Sequence, residues 1–151
     1  MATASGAVYT HTNLIARNWK RLADFYVEVF GCEPVPPERD LSGPWLEAGT
    51  GVPGAHLSGL HLRLPGAGGP TLEIFQYAVS PERPVPVANH LGFMHLAFHV
   101  DAVSKAVEAV LAAGGSTVGE TVCRDVPGVG TLTFAYVRDP EGNILELQRW
   151  D

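Results

Sequence analysis

The chain has 151 residues, the size of one ordinary domain, and its 46% apolar and 17% charged residues exclude a disordered polymer. Ten Lys and Arg face 16 Asp and Glu, and the formal charge of −6 argues against a nucleic-acid binder, which needs a basic face for phosphates. No apolar run approaches the roughly 20 residues that span a bilayer. Met1 to Gly6 lacks the basic and apolar regions of a signal peptide, and Cys32 and Cys123 stand far apart in no metal spacing, so a reduced cytoplasmic protein is expected.

Tyr9–Ala16 reads as a strand. Trp19, Leu22, Tyr26, Val29 and Phe30 then recur at helical spacing, with Asn18 the expected N-cap and Gly31 the stop. The stretch from Gly31 to Pro53 is rich in Pro and Gly, which predicts only a short strand at Glu33–Val35 and a mobile segment around Pro44–Gly49. Ala55–Leu64 alternates, with Leu60, Leu62 and Leu64 on one face. Leu64–Pro70 lacks the Lys-Ser/Thr and following helix of a phosphate loop and reads as a turn into the strand Thr71–Tyr77. Pro81, Pro84 and Pro86 then exclude a central strand and mark a semi-rigid linker.

The second half begins with a strand at Phe93–Val100. Val103, Ala106, Val107, Val110 and Leu111 predict the apolar face of a helix running from an Asp101 cap to Gly114-Gly115. Strands follow at Ser116–Val126, Thr131–Val137 and Asn143–Trp150, the last two joined by a turn at Asp139-Pro-Glu-Gly-Asn143. A shift of 84 positions superposes His11 on His95 and Gly31 on Gly115. The chain is therefore expected to be α+β, with βαβββ modules at 7–78 and 92–151 and a linker at 79–91. Each module is too small for a comfortable core alone, so the two are expected to pack as one domain.

His11 and His95 lie on the first strand of each module, and Glu73 and Glu146 on the last. Strand side chains alternate, so Leu72 and Ile74 face away from Glu73, and Leu145 and Leu147 away from Glu146. Taken singly, each of the four reads as a solvated or structural side chain. Four of them at matching places read as an N2O2 donor set, which suits Zn, Ni, Co, Mn or Fe(II). His56, His61, His90 and His99 take the structural or surface reading. Arg63 shares the open face and would meet an anionic group of a substrate; a surface arginine is the plainer alternative. Phe75 and Tyr77 share Glu73's face and Trp150 shares Glu146's, as walls of a substrate site or as packing. Glu47 reads as a surface carboxylate, with a loop acid/base as the alternative.

The stretches from His11 through Phe25-Tyr26 to Gly31, Thr71-Leu-Glu-Ile-Phe75, Gly92-Phe-Met-His95-Leu-Ala-Phe98 and Asp139-Pro-Glu-Gly-Asn143-Ile-Leu-Glu146 resemble the vicinal-oxygen-chelate superfamily. Its members include lactoylglutathione lyase, methylmalonyl-CoA epimerase, extradiol dioxygenases and bleomycin-resistance proteins. The resemblance implies curved mixed sheets around a metal cleft, one divalent metal held by His11, Glu73, His95 and Glu146, and a metal-bound Glu able to loosen and act as a base. Arg17 departs from the acidic residue common at its position. A fourth potential ligand, Glu73, is closer to the lyase and epimerase branches than to dioxygenases with one carboxylate ligand. The expected activity is proton transfer beside a polarised carbonyl through an enediolate, with Glu146 as base and Glu73 sharing that role or staying bound. The alternatives are an Fe(II) dioxygenase and a non-enzymatic drug- or metabolite-binding resistance protein. The expected partner is a small molecule, with no nucleic acid and no membrane, and the expected assembly is a homodimer.

Overall fold

The structure is a computed structural model that describes residues 6–66 and 68–151. Residues 1–5, most of the segment expected not to be a signal peptide, and Ala67 of the glycine-rich turn lie outside the described residues. The chain forms two compact units, Met1–Pro81 and Glu82–Asp151. Its architecture is mixed α+β, with one sheet of four strands, one of five, and few helices.

The first unit runs β1 (His11–Ile15), α1 (Trp19–Phe30), β2 (Glu33–Ser42), α2 (Pro44–Thr50), β3 (His56–Arg63) and β4 (Thr71–Tyr77). Its strand order is β1-β4-β3-β2, with β1 and β4 parallel and the other pairs antiparallel. Asn18 caps α1 by accepting a hydrogen bond from the Arg21 backbone N–H at 3.1 Å. Gly31 ends the helix in the left-handed conformation that its missing Cβ permits. The buried face of α1 (Trp19, Leu22, Ala23, Phe25, Tyr26) packs on β3 and β4, where Leu60, Leu62, Leu72 and Ile74 are buried.

Two expectations for this unit are corrected. The strand after Gly31 spans ten residues, not three, because β2 is the sheet edge, where prolines need not donate to a neighbour. Its pairing with β3 shifts register between Val35 and Arg39, around Pro36 and Pro37. Pro44–Gly49 is not a mobile segment but most of α2, whose Leu46 is buried with Ala55 and Leu57; Leu41, Phe75 and Tyr77 pack against them.

No strand forms in residues 78–94. The second unit continues with β5 (His95–His99), α3 (Val103–Ala112), β6 (Ser116–Thr117), β7 (Val122–Val126), β8 (Gly130–Arg138) and β9 (Ile144–Trp150). The order is β5-β9-β8-β6, with β7 also on β8; β5 and β9 are parallel and the rest antiparallel. The strand expected over Ser116–Val126 is therefore two strands. Asp101 does not cap α3: Ala102 holds that position without a side-chain hydrogen bond. Leu111, expected on the helix's apolar face, is 46% exposed, while Val103 and Val110 are buried. The helix packs on β8 and β9, against a core that holds Ala135, Val137, Leu145 and Leu147.

Candidate functional site

In the first sheet β4 is flanked by β1 and β3, and Glu73 stands opposite Asn13 on one side and His61 on the other. Leu72 and Ile74 point into the core beneath α1, so alternation sends Glu73 to the other face. His61 Nε2 lies 2.9 Å from Glu73 Oε2, and Asn13 donates through Nδ2 to Oε1 at 2.8 Å. His11 Nε2 lies 3.8 Å from Oε1. The imidazoles of His11 and His61 meet edge to face with centroids 5.7 Å apart. Thr71 Oγ1 lies 2.9 Å from His61 Nδ1.

The second sheet repeats the placement. His95 pairs with Ile144, two residues before Glu146, as His11 pairs with Thr71, two residues before Glu73. The register therefore gives both His–Glu pairs the same stagger. His95 Nε2 lies 3.2 Å from Glu146 Oε2. Tyr136 stands opposite Glu146 on β8, at the place His61 holds in the first sheet, and its ring lies 5.1 Å from that of His95. Burial pushes the Tyr136 hydroxyl pKa up, and the Glu146 carboxylate adds to the rise. The phase of β9 is set by the predicted turn: Asp139 Oδ1 accepts from the backbone N–H groups of Glu141 and Asn143 at 2.9 and 3.0 Å. Asp139 Oδ2 accepts from Asn143 Nδ2 at 2.8 Å.

Each module thus joins its His to its Glu: His11 with Glu73, His95 with Glu146. Among the described residues no group of three or more His, Cys, Asp or Glu side chains is gathered as a metal site. The other candidates have local explanations. Arg63 pairs with Glu33 at 2.7 Å, both well exposed. Phe75 and Tyr77 pack on the Leu46–Ala55–Leu57 cluster, and Trp150 donates through Nε1 to Gln148 at 3.1 Å. Glu47 lies in the first turn of α2, so it is not on a loop. His56 pairs with Asp40 at 2.6 Å, His90 accepts from the Val87 N–H at 3.3 Å, and His99 is exposed on β5.

Sequence reasoning missed His61 and Tyr136. The signal for His61 was present: the alternation that puts Arg63 on Glu73's face puts His61 there too. Tyr136 follows in the same way once β8 and β9 are paired antiparallel. Its exposure to Glu146 needed the register, which the turn length alone did not supply.

A family model, Glyoxalase/Bleomycin resistance protein/Dioxygenase superfamily, matches residues 9–147. The chain belongs to that superfamily. Solved structures of glyoxalase-family proteins share the fold. One from Bacillus cereus is 18% identical with a TM-score of 0.81, and the match covers 97% of each chain. Another, from Enterococcus faecalis, is 27% identical with a TM-score of 0.57 over 97% of this chain and 98% of that one. A glyoxalase I mutant from Zea mays is 23% identical with a TM-score of 0.62; the match covers 95% of this chain and 45% of that protein. No curated protein matches by sequence. Among the described residues no helix of this superfamily member is long and apolar enough to cross a membrane.

Proposed function

We propose that the chain is a divalent-metal-dependent isomerase, epimerase or glyoxalase-type lyase that moves a proton on the carbon beside a carbonyl of a small α-oxygenated substrate. The observation that carries this reading is the equal stagger of His11 with Glu73 and of His95 with Glu146 in the two sheets. In both pairs the imidazole Nε2 faces a carboxylate oxygen, and nitrogen with carboxylate oxygen is the donor chemistry of Zn, Ni, Co, Mn and Fe(II). The proposed ligands are His11, Glu73, His95 and Glu146.

When bound, the metal polarises the carbonyl and stabilises the negative charge that builds on its oxygen. Glu146 takes the proton from the adjacent carbon and returns it, as a carboxylate positioned for general base work. Tyr136 stands opposite that carboxylate on β8, and its hydroxyl pKa is raised by burial and by Glu146. Arg63, Phe75, Tyr77 and Trp150 are proposed to border the substrate. A homodimer in the cytoplasm is the proposed setting.

The test is metal uptake by the purified chain, followed by solvent deuterium exchange into small α-hydroxy and α-oxo carbonyl compounds. Exchange that needs metal and is lost in Glu146→Gln supports the reading. Metal binding and fold stability left unchanged in both Glu73→Gln and Glu146→Gln sink the metal site. Oxygen uptake with Fe(II) in place of exchange assigns the chain to ring-cleaving or related oxygen chemistry instead.

A further inference from the structure

The two carboxylates at matching places have unlike surroundings. Glu73 is held from both sides: Asn13 donates to Oε1 at 2.8 Å, and His61 Nε2 meets Oε2 at 2.9 Å. Those partners come from β1 and β3, the strands on either side of β4, and both stand directly opposite Glu73 in register. His61 is held in turn by Thr71 Oγ1 at 2.9 Å from Nδ1. The Glu73 and His61 side chains are only 14% and 21% exposed.

In the second sheet the equivalent places are Ala97 for Asn13, Tyr136 for His61 and Ile144 for Thr71. Ala97 offers no side-chain amide and Ile144 no hydroxyl. Within its unit, the described polar contact of Glu146 is to His95 at 3.2 Å.

We infer that His61, oriented by Thr71 and assisted by Asn13, is a positioning residue that clamps Glu73 in one rotamer. The close approach of Nε2 to a carboxylate oxygen, at 2.9 Å, assigns the ring proton. Nε2 faces a carboxylate oxygen, which only accepts, so Nε2 bears the hydrogen. In the neutral ring Nδ1 is then an acceptor, and the Thr71 hydroxyl donates to it. Outer partners of this kind orient a ligand and characteristically change metal affinity by 10- to 100-fold when removed. The consequence for metal binding rests on the reading of Glu73 as a ligand; the clamp itself does not.

The test uses the full chain and two readouts. In metal-free protein, long-range nitrogen–proton NMR of the histidine rings is expected to show a proton on His61 Nε2. A bare Nε2 overturns the clamp. In the second readout Co(II) is titrated into wild type, His61→Phe and His61→Gln. His61→Phe is expected to weaken binding about 10- to 100-fold, and His61→Gln, whose amide nitrogen reaches the Nε2 position, to recover most of that loss. The visible spectrum at saturation is expected to be the same in all three, because His61 is not a ligand. Unchanged affinity in His61→Phe, or a changed saturated spectrum, overturns the inference. If wild type takes up no metal, the proposed function fails, and the NMR readout alone decides the clamp.

Discussion

Tyr136 and Glu146 stand directly opposite each other across the antiparallel β8–β9 ladder, so the phenol and the carboxylate share one face of the second sheet. Burial is the larger cause of the raised Tyr136 pKa and Glu146 the smaller. Glu146→Gln is therefore expected to lower the Tyr136 pKa without returning it to its ordinary 10.0. The difference in alkaline phenolate absorbance between each protein and its Tyr136→Phe counterpart measures it. A pKa that stays put in Glu146→Gln refutes the coupling.

Substitution of the two carboxylates is expected to separate binding from proton transfer. Glu146→Gln loses a general base, worth roughly 10²- to 10⁴-fold in exchange rate, while Glu73→Gln weakens metal binding first. Rates measured at saturating metal, beside metal affinities for both variants, check the order. Equal losses of rate at saturation in the two variants contradict the division of roles.

Cys32 and Cys123 are both free thiols in unlike settings, the first buried and the second exposed. Burial pushes the Cys32 thiol up from 9.0 to about 11. A neutral-pH thiol reagent is expected to label Cys123 in the folded chain and Cys32 only after unfolding. The folded pKa lies above the unfolded one. The thiol's contribution to stability is thus fully present below about 9 and is lost as pH rises toward about 11. Denaturation across that range checks this: Cys32→Ala is expected to show a shallower alkaline decline than wild type.

Space and exposure predict unequal costs at two strand positions. A Cβ at Gly59 overlaps the Ile74 carbonyl oxygen and the Phe75 ring, so Gly59→Ala is expected to destabilise by about 1–3 kcal/mol through overpacking. Arg63→Ala removes an exposed pair with Glu33 and is expected to cost under about 1 kcal/mol. Urea midpoints of the two variants give the comparison. An Arg63→Ala variant of normal stability but weaker turnover of an anionic substrate assigns Arg63 to the substrate.

The parts of this fold that were readable in the sequence are those fixed by short-range patterns. Helical spacing with Asn18 and Gly31 located α1, and alternation put Glu73 and Glu146 on the face opposite their leucines. The departures came where a neighbour decides the outcome. Proline forbids a central strand but not an edge one, so the length of β2 depended on its place in the sheet. Leu46 makes Pro44–Thr50 a helix by being buried with Ala55 and Leu57, a contact no local pattern reveals. Asp101 is a good capping residue by type, yet the helix begins one position later. His61 needed both the alternation within β3 and the β3–β4 register before its distance to Glu73 meant anything.

The turn at Asp139 has a consequence for how this chain tolerates change in length. Its carboxylate fixes Asn143, and β9 starts at the next residue, so Glu146 is reached by counting from a rigid origin. One residue inserted or deleted there exchanges the two faces of β9, drives Glu146 under α3 and brings Leu145 or Leu147 into the open. Two residues restore the face but move Glu146 about 7 Å along the strand, away from His95. The turn acts as the zero mark of a ruler, and only lengths that leave the mark in place keep His95 and Glu146 in reach of each other.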